Sequence, residues 1–512
     1  MATIASMHMY GFSLQPRLCS TGGRPAKITR TKPLATHDSS AHIPPRFKEL
    51  QQVLKTKLRE ASAAGSSASK KLLDAFVDSI FTFSHQSLRP TESNFAPVEE
   101  IGQITNILRI EGAIPEDFPE GVYIRNGPNP LFGALHTTED IWVEGEGMLH
   151  ALYFNKKGED NTWSISYNNR YVQSDTFRIE RDRQKPCFLS SAKGDPIAIF
   201  AASILNKQRF GKASRNYSNT NVFQHAGRVF SAAENDNPHE IDLENLGTIC
   251  SWDVGGDWNM PFTAHPKVAP GSGDFVIHGF SFVKPFLTVG VISEDGKKLK
   301  HKVDLKQQRC AFSHEIGITE RHNIIMDMPL TMNLSRILQG APFLDYDAES
   351  YARIGVMPRY GDADSVVMRG FRVPGSILMG PTVLEHSVDE EPANQGLNEE
   401  YFSRLYEWRL NMKSMSVIEK YLTGAGIDME FPVINDKYVG LNHKYAYAQV
   451  VDSQGSLAGG CGVALSRSNK CRAHIIDAQR FENGPVAKII LKHRVPYGFH
   501  GAFISRSTYK KR

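Results

Sequence analysis

The chain has 512 residues, 59 Lys plus Arg against 55 Asp plus Glu for a net charge of +4, and 41% apolar residues. That balance excludes a disordered, a collagen-like and a nucleic-acid-coating chain, and leaves a large globular enzyme. The 41 Gly and 27 Pro are spread along the chain, which favours many short elements joined by turns, while length alone leaves the domain count open.

From Met1 to Lys48 the only acid is Asp38, and Ser, Thr, Lys and Arg are frequent. An acid-poor, basic, hydroxyl-rich leader without an apolar stretch of its own reads as a plastid transit peptide, against the plainer alternative of a disordered basic tail. In Lys70 to Phe83 the residues Leu73, Phe76, Val77, Ile80 and Phe81 recur at helical spacing, so one apolar helical face is expected. That stripe either lies in a bilayer interface or packs on its own domain. The run from Ile197 to Leu205, which includes Ile199, Phe200 and Ile204, is nearly all apolar and is followed by Lys207, Arg209, Lys212 and Arg215. It is either a buried segment or a greasy rim with a basic collar. No run reaches the roughly 18 to 20 apolar residues that a spanning helix needs.

After about residue 94 the pattern changes to period two, as in WSISY (Trp163 to Tyr167), FVIHGFSF (Phe275 to Phe282) and YAYAQVV (Tyr445 to Val451). Phe286 to Ile292, the turn Asp295-Gly296 and Leu299 to Leu305 predict a hairpin. Only Glu399 to Leu422 reads as partly helical. Several hundred residues of short strands suit a large barrel or a propeller with diverged blades. The six cysteines contain no CxxC pair and suggest neither a zinc ribbon nor a disulfide framework.

Three of the 18 histidines stand where a tight turn aims a side chain: His265 in PFTAHPK, His314 in FSHEIGIT and His500 in VPYGFHGAF. Pro266 forces extended backbone beside the first, and Gly498 and Gly501 permit close approach around the last. Their dispersion excludes a helical HExxH zinc site. A lone histidine on an apolar strand is most often a hydrogen-bonded core residue, so each needs further support as a ligand.

That support comes from seven ordered stretches: EGVYIRNGPNP (Glu120 to Pro130), WVEGEGMLHALYF (Trp142 to Phe154), AAENDNPHEID (Ala232 to Asp242), TAHPKVAP (Thr263 to Pro270), FSHEIGITERHNIIMDMPL (Phe312 to Leu330), EFPVIN (Glu430 to Asn435) and VPYGFHGAF (Val495 to Phe503). With them the chain resembles the plant carotenoid cleavage dioxygenases over about residues 95 to 505. The resemblance implies an all-β fold, a seven-bladed β-propeller with a helical cap and N-terminal helices, whose axis holds Fe(II) on four neutral histidines oriented by outer carboxylates. Its implied layout is a transit peptide over 1–45, an amphipathic helical segment over 46–93 and the propeller over 94–512. His265, His314 and His500 take the places of the first, second and fourth ligands, and Glu234 and Glu430 those of outer carboxylates. Imidazole suits Fe(II), and neutral ligands need carboxylates behind them to fix their tautomers. The implied reaction is cleavage of one C=C bond of a carotenoid or apocarotenoid by O2 into two carbonyl products. The 9,10 (9′,10′) position is most resembled, with 7,8 as the alternative, in an enzyme of the plastid that contacts a membrane peripherally. No nucleic acid is implied as a partner.

The third ligand of that family sits in a segment resembling FHxxNxxE, which this sequence lacks. YGDADSVVMRGFRVPG (Tyr360 to Gly375) stands in its place, and none of His322, His386, His443, His474 and His493 has the expected context. A second contraction follows Val451. A blade takes about 40 to 45 residues, so the ring is expected to be short of two pieces. The alternative function is therefore a catalytically impaired propeller that binds a carotenoid or a partner.

Overall fold

The computed structural model describes residues 4–7, 56, 66–80, 97–132, 145–158, 162–189, 196–333, 336, 344–347, 352–359, 365–372, 404–411, 413–414, 416–423, 428–451, 471–496 and 498–509. Among these the strands form eight sheets, mostly of antiparallel neighbours in chain order. The described residues are mostly strands with few helices, the strand-rich body that the period-two patterning predicts.

The first sheet has five strands in the order Thr105–Asn106, Thr162–Tyr171, Gly147–Lys157, Gly121–Pro128 and Gly501–Ser505. Its last member comes from the far end of the chain, with Gly501 opposite Arg125 and Ser505 opposite Gly121. The second sheet (Asn221–His225 to Thr248–Ser251) and the third (Lys267–Val268 to Leu299–Leu305) are four-stranded meanders. The fourth joins Gly317–Ile318, His322–Asp327 and Arg353–Pro358, beside a hairpin of Leu330–Met332 and Leu344–Tyr346. The fifth contains Ser365–Arg372, Arg404–Asn411 and Ser416–Tyr421, and the sixth only Asp428–Val433 and Tyr447–Val451. In the seventh, Ile110–Gly112 from the start of the body pairs with Pro485–Ile490 from its end. Two separate pairings of early with late strands thus tie the ends of the body together.

The predicted hairpin forms as Leu287–Ile292 and Leu299–Leu305, with Gly296 at φ +70° in its turn. The helical expectation for Glu399 to Leu422 is corrected, because the described part of that stretch is two paired strands. Tyr406, Trp408 and Leu410 alternate into a core with Ile324, Met326 and Met328. This period-two set outweighs the helix-favouring Glu, Arg and Leu around it.

Three α-helices are described: α1 (Ser66–Ile80), α2 (Asp175–Arg183) and α3 (Pro196–Phe210). Leu73 and Val77 of α1 bury against Leu189 and against Ala201, Ala202 and Leu205 of α3, with Phe76 partly covered by the same cluster. Asp74 bonds Arg209 Nε at 2.7 Å and Arg183 Nη1 at 2.9 Å, which fixes α1 to the other two helices. The two apolar segments singled out in the sequence therefore pack on each other. Ile199, Phe200 and Ile204 remain half-buried, while Phe81 and the side chain of Ile80 lie outside the described residues. No described helix is long and apolar enough to cross a membrane. Within the leader, Ile4–Met7 pairs in parallel with Ser365–Arg372 and lies against Gly317–Ile318 and Asp428–Val433. The rest of residues 1–45 lies outside the described residues.

Candidate metal centre

Each predicted ligand stands just before a strand at the edge of its sheet. His265 precedes Lys267–Val268 at the edge of the third sheet, His314 precedes Gly317–Ile318 of the fourth, and His500 precedes Gly501–Ser505 of the first. Edge strands from different sheets thereby deliver three imidazoles to one place. His265 Nε2 and His314 Nε2 stand 3.1 Å apart. The His500 ring lies edge-to-face on His265, with centroids 4.8 Å apart. Its main chain is pinned by Asn126 N donating to His500 O at 2.9 Å and by His500 N donating to Thr220 O at 3.2 Å.

The far nitrogens of the facing pair each meet a carboxylate. His314 Nδ1 is 2.5 Å from Glu234 Oε1, and His265 Nδ1 is 3.7 Å from Glu315 Oε2. Glu234, close against His314 Nδ1, holds the proton there, and the Glu315 charge at 3.7 Å favours the same tautomer of His265; each leaves the Nε2 lone pair free. Two such lone pairs pointed at each other across 3.1 Å repel unless a cation or a proton sits between them. Two nitrogens each about 2.1 Å from one divalent ion, at a right angle, would be about 3 Å apart. The donor set therefore fits a metal. Among the described residues, Glu234, His265 and His314 are the one group of three with ligand atoms within 4.8 Å of one another.

The electrostatics follow from burial and pairing. Burial opposes charge on His314, but Glu234 beside it more than offsets this and raises its pKa; the same contact holds Glu234 below the usual carboxylate range despite its burial. Burial raises the pKa of Glu315 even though Lys267 Nζ donates to its Oε1 at 2.6 Å. Burial pushes His500 down to about 4, so that ring is neutral, a ligand-competent form. Phe312 stacks near-parallel to His314, and Phe431 stands 6.0 Å from His500, which gives the cluster apolar walls.

Of the residues predicted from sequence, His265, His314, His500 and Glu234 come together. Glu430 is on the strand Asp428–Val433, opposite Gln449, at a bulge where Phe431 takes φ +51°; its side chain lies outside the described residues. Four other histidines between His314 and His500 are engaged elsewhere. His322 Nδ1 pairs with Thr319 Oγ1, His443 Nδ1 with Leu441 O, His493 stacks on Tyr167 and His474 stands opposite Lys488. His386 lies outside the described residues. Lys267 and Glu315 are not singled out by the sequence. Both adjoin ligand motifs, but only their burial together distinguishes them from surface charges.

The family profile described as retinal pigment epithelial membrane protein matches residues 95–380, 362–463 and 461–505. The joins between these three pieces fall at the two stretches where the sequence is contracted. The carotenoid 9,10(9′,10′)-cleavage dioxygenase 1 of Arabidopsis thaliana is 27% identical, over 86% of this chain and 95% of that one. Its alignment runs over 534 residues, more than the whole chain holds, so the shortfall lies inside the present sequence. The chloroplastic 9-cis-epoxycarotenoid dioxygenase NCED1 of rice is 27% identical over 81% of this chain and 75% of that one. Among solved structures, cobalt-substituted Synechocystis ACO superposes with a TM-score of 0.64 at 19% identity, covering 81% of this chain and 99% of that one. A lignostilbene dioxygenase of Pseudomonas brassicacearum also reaches 0.64 at 20% identity, covering 83% and 100%. With one family profile matched from residue 95 to residue 505, the chain belongs to the retinal pigment epithelial membrane protein family, the family of the carotenoid oxygenases.

Proposed function

We propose that this chain is a non-heme iron(II) dioxygenase acting on a carotenoid or apocarotenoid, at the 9,10 (9′,10′) double bond, inside a plastid. The single observation that carries it is the facing pair His265 Nε2 and His314 Nε2, 3.1 Å apart, with a carboxylate behind each ring. His265, His314 and His500 would hold the ion, within a seven-bladed ring in which the hairpin Leu330–Met332 and Leu344–Tyr346 belongs with the fourth sheet. The ion supplies binding and activation of O2 beside the polyene. Glu234 keeps the proton on His314 Nδ1, Glu430 takes by resemblance the place of a further outer carboxylate, and Phe312 and Phe431 keep bulk water from the rings. Both bonds of one C=C are broken and each carbon takes one oxygen atom of O2, so no external electron or proton is required. A polyene dissolved in membrane suits a peripheral contact through the α1–α3 pair, near Phe76, Ile80, Phe81, Ile199, Phe200 and Ile204. The basic leader, and relatives named as chloroplastic, support the plastid.

The test is to load the full chain with Fe(II) and incubate it with β-carotene or an apocarotenal under ¹⁸O2. Two carbonyl products that include a C13 ketone, each carrying label, are expected; intact pigment overturns the assignment, and products of 7,8 cleavage overturn only the position. A second function is favoured by one specific observation, the split of the family match at 362–380, where the sequence has no segment resembling the FHxxNxxE of the family. A chain that binds pigment and leaves it intact is that weakened propeller. Replacing residues 360–375 with the corresponding segment of the Arabidopsis relative then restores turnover.

A further inference from the structure

We propose that Glu315, locked by Lys267, is a positioning residue that aims His265 at the metal, an inference that rests on the iron-site assignment above. Glu315 follows His314 just before the edge strand of the fourth sheet, yet its Oε2 faces Nδ1 of His265, which precedes the edge strand of the third, at 3.7 Å. Lys267 follows His265 by two residues and donates to Glu315 Oε1 at 2.6 Å. The pairing is therefore crossed. The ligand of the third sheet is set by a carboxylate of the fourth, and that carboxylate is fixed in turn by a lysine of the third. His314 is treated the same way by Glu234 from the loop after Arg228–Ala232 of the second sheet. Glu315 and His265 are 3% and 5% exposed at their side chains, so little water competes for Nδ1.

A carboxylate held there favours the tautomer with Nδ1 protonated and leaves Nε2 as the metal-facing donor. The lysine holds one carboxylate oxygen and leaves the other turned to the imidazole. A plain staple between sheets would fix the two strands without affecting the histidine. The readouts separating these roles are the tautomer of His265 and the affinity for a metal ion.

The experiment uses the full chain with Glu315→Gln, Glu315→Asp and the double variant Lys267→Met/Glu315→Gln, which removes both buried charges and so leaves neither stranded. Co(II) alone is titrated and followed by its visible spectrum. In parallel, metal-free protein labelled with ¹⁵N-histidine reports the His265 tautomer by NMR. Glu315→Gln and the double variant are expected to bind Co(II) about 10 to 100-fold more weakly, with Glu315→Asp recovering part of the loss, and to shift His265 away from the Nδ1–H form. A double variant that folds, binds Co(II) like the parent and keeps the parent tautomer overturns the proposal. If the parent takes up no Co(II), the iron-site assignment fails; the tautomer then decides this proposal alone, a shift supporting it and no shift overturning it.

Discussion

The stretch 196–333 and the stretch 352–451 are built on the same strand-and-turn plan but differ in how the family profile matches them, the first within one piece and the second across a join. The first contributes the second and third meanders, together with His265, His314, Glu234, Glu315 and Lys267. The second supplies the fifth sheet, whose edge beyond Ser365–Arg372 is taken by Ile4–Met7, and, among the described residues, two strands of a sixth. It is also where the family match breaks. A metal centre assembled from sheet edges is modular: each ligand depends on its own sheet and on the neighbour that fixes its tautomer. A missing segment removes its own ligand and leaves the facing His265 and His314 pair in place.

Removing a candidate ligand from the first stretch breaks this comparison most severely. His314→Ala deletes one of the two facing nitrogens and strands Glu234. Since loss of an outer partner alone costs about 10 to 100-fold, iron affinity is expected to fall by more than about 100-fold, read by metal analysis after dialysis. In the other half, Trp408→Ala empties a site that is 1% exposed. It should cost about 3 to 5 kcal/mol in denaturant unfolding while retained protein keeps its metal affinity, because Trp408 packs on Ile324 and Met326 and not on the ligands. Equal loss of metal affinity would show that the two halves are not separable.

Smaller effects sharpen the comparison at its margins. Asp74→Ala leaves Arg209, 1% exposed, without its carboxylate and should cost about 2 to 3 kcal/mol, below the roughly 3 to 5 of a fully buried pair because Asp74 is 23% exposed. It should also loosen α1, seen as faster proteolysis near residues 66–80. Acid acts more gradually. Burial lowers His278 and His239 to about 4 from 6.5. Between those values the unfolded chain binds more protons than the folded one, so stability rises with pH there and is lost as pH falls from about 6.5 towards 4. Each contributes at most about 3 kcal/mol, and His278→Gln should flatten the dependence of Tm on pH across that window.

The parts of this centre that were legible from sequence are those carried by local chemistry. His265 beside Pro266 and His500 between Gly498 and Gly501 announce their backbone, and the Asp295-Gly296 turn announces its hairpin. Strand against helix is not legible at Arg404–Asn411, where Glu407 and Arg409 mask the alternation of Tyr406, Trp408 and Leu410. The Lys267–Glu315 pair was not legible, because it joins residues 48 positions apart on different sheets and each looks alone like a surface charge. The mutual packing of α1 and α3 was likewise hidden, since an apolar helical stripe reads the same against a bilayer and against another helix.

The proposed iron site persists on His265, His314 and His500 and is weakened by the missing segment. It is tested most directly by anaerobic Fe(II) titration of the full metal-free chain beside the Arabidopsis relative. One Fe(II) per chain is predicted, bound more than about 100-fold more weakly than in the relative, since a ligand and its carboxylate are both missing, and abolished by His314→Ala. Absence of any Fe(II) binding, or binding that survives His314→Ala, would contradict it.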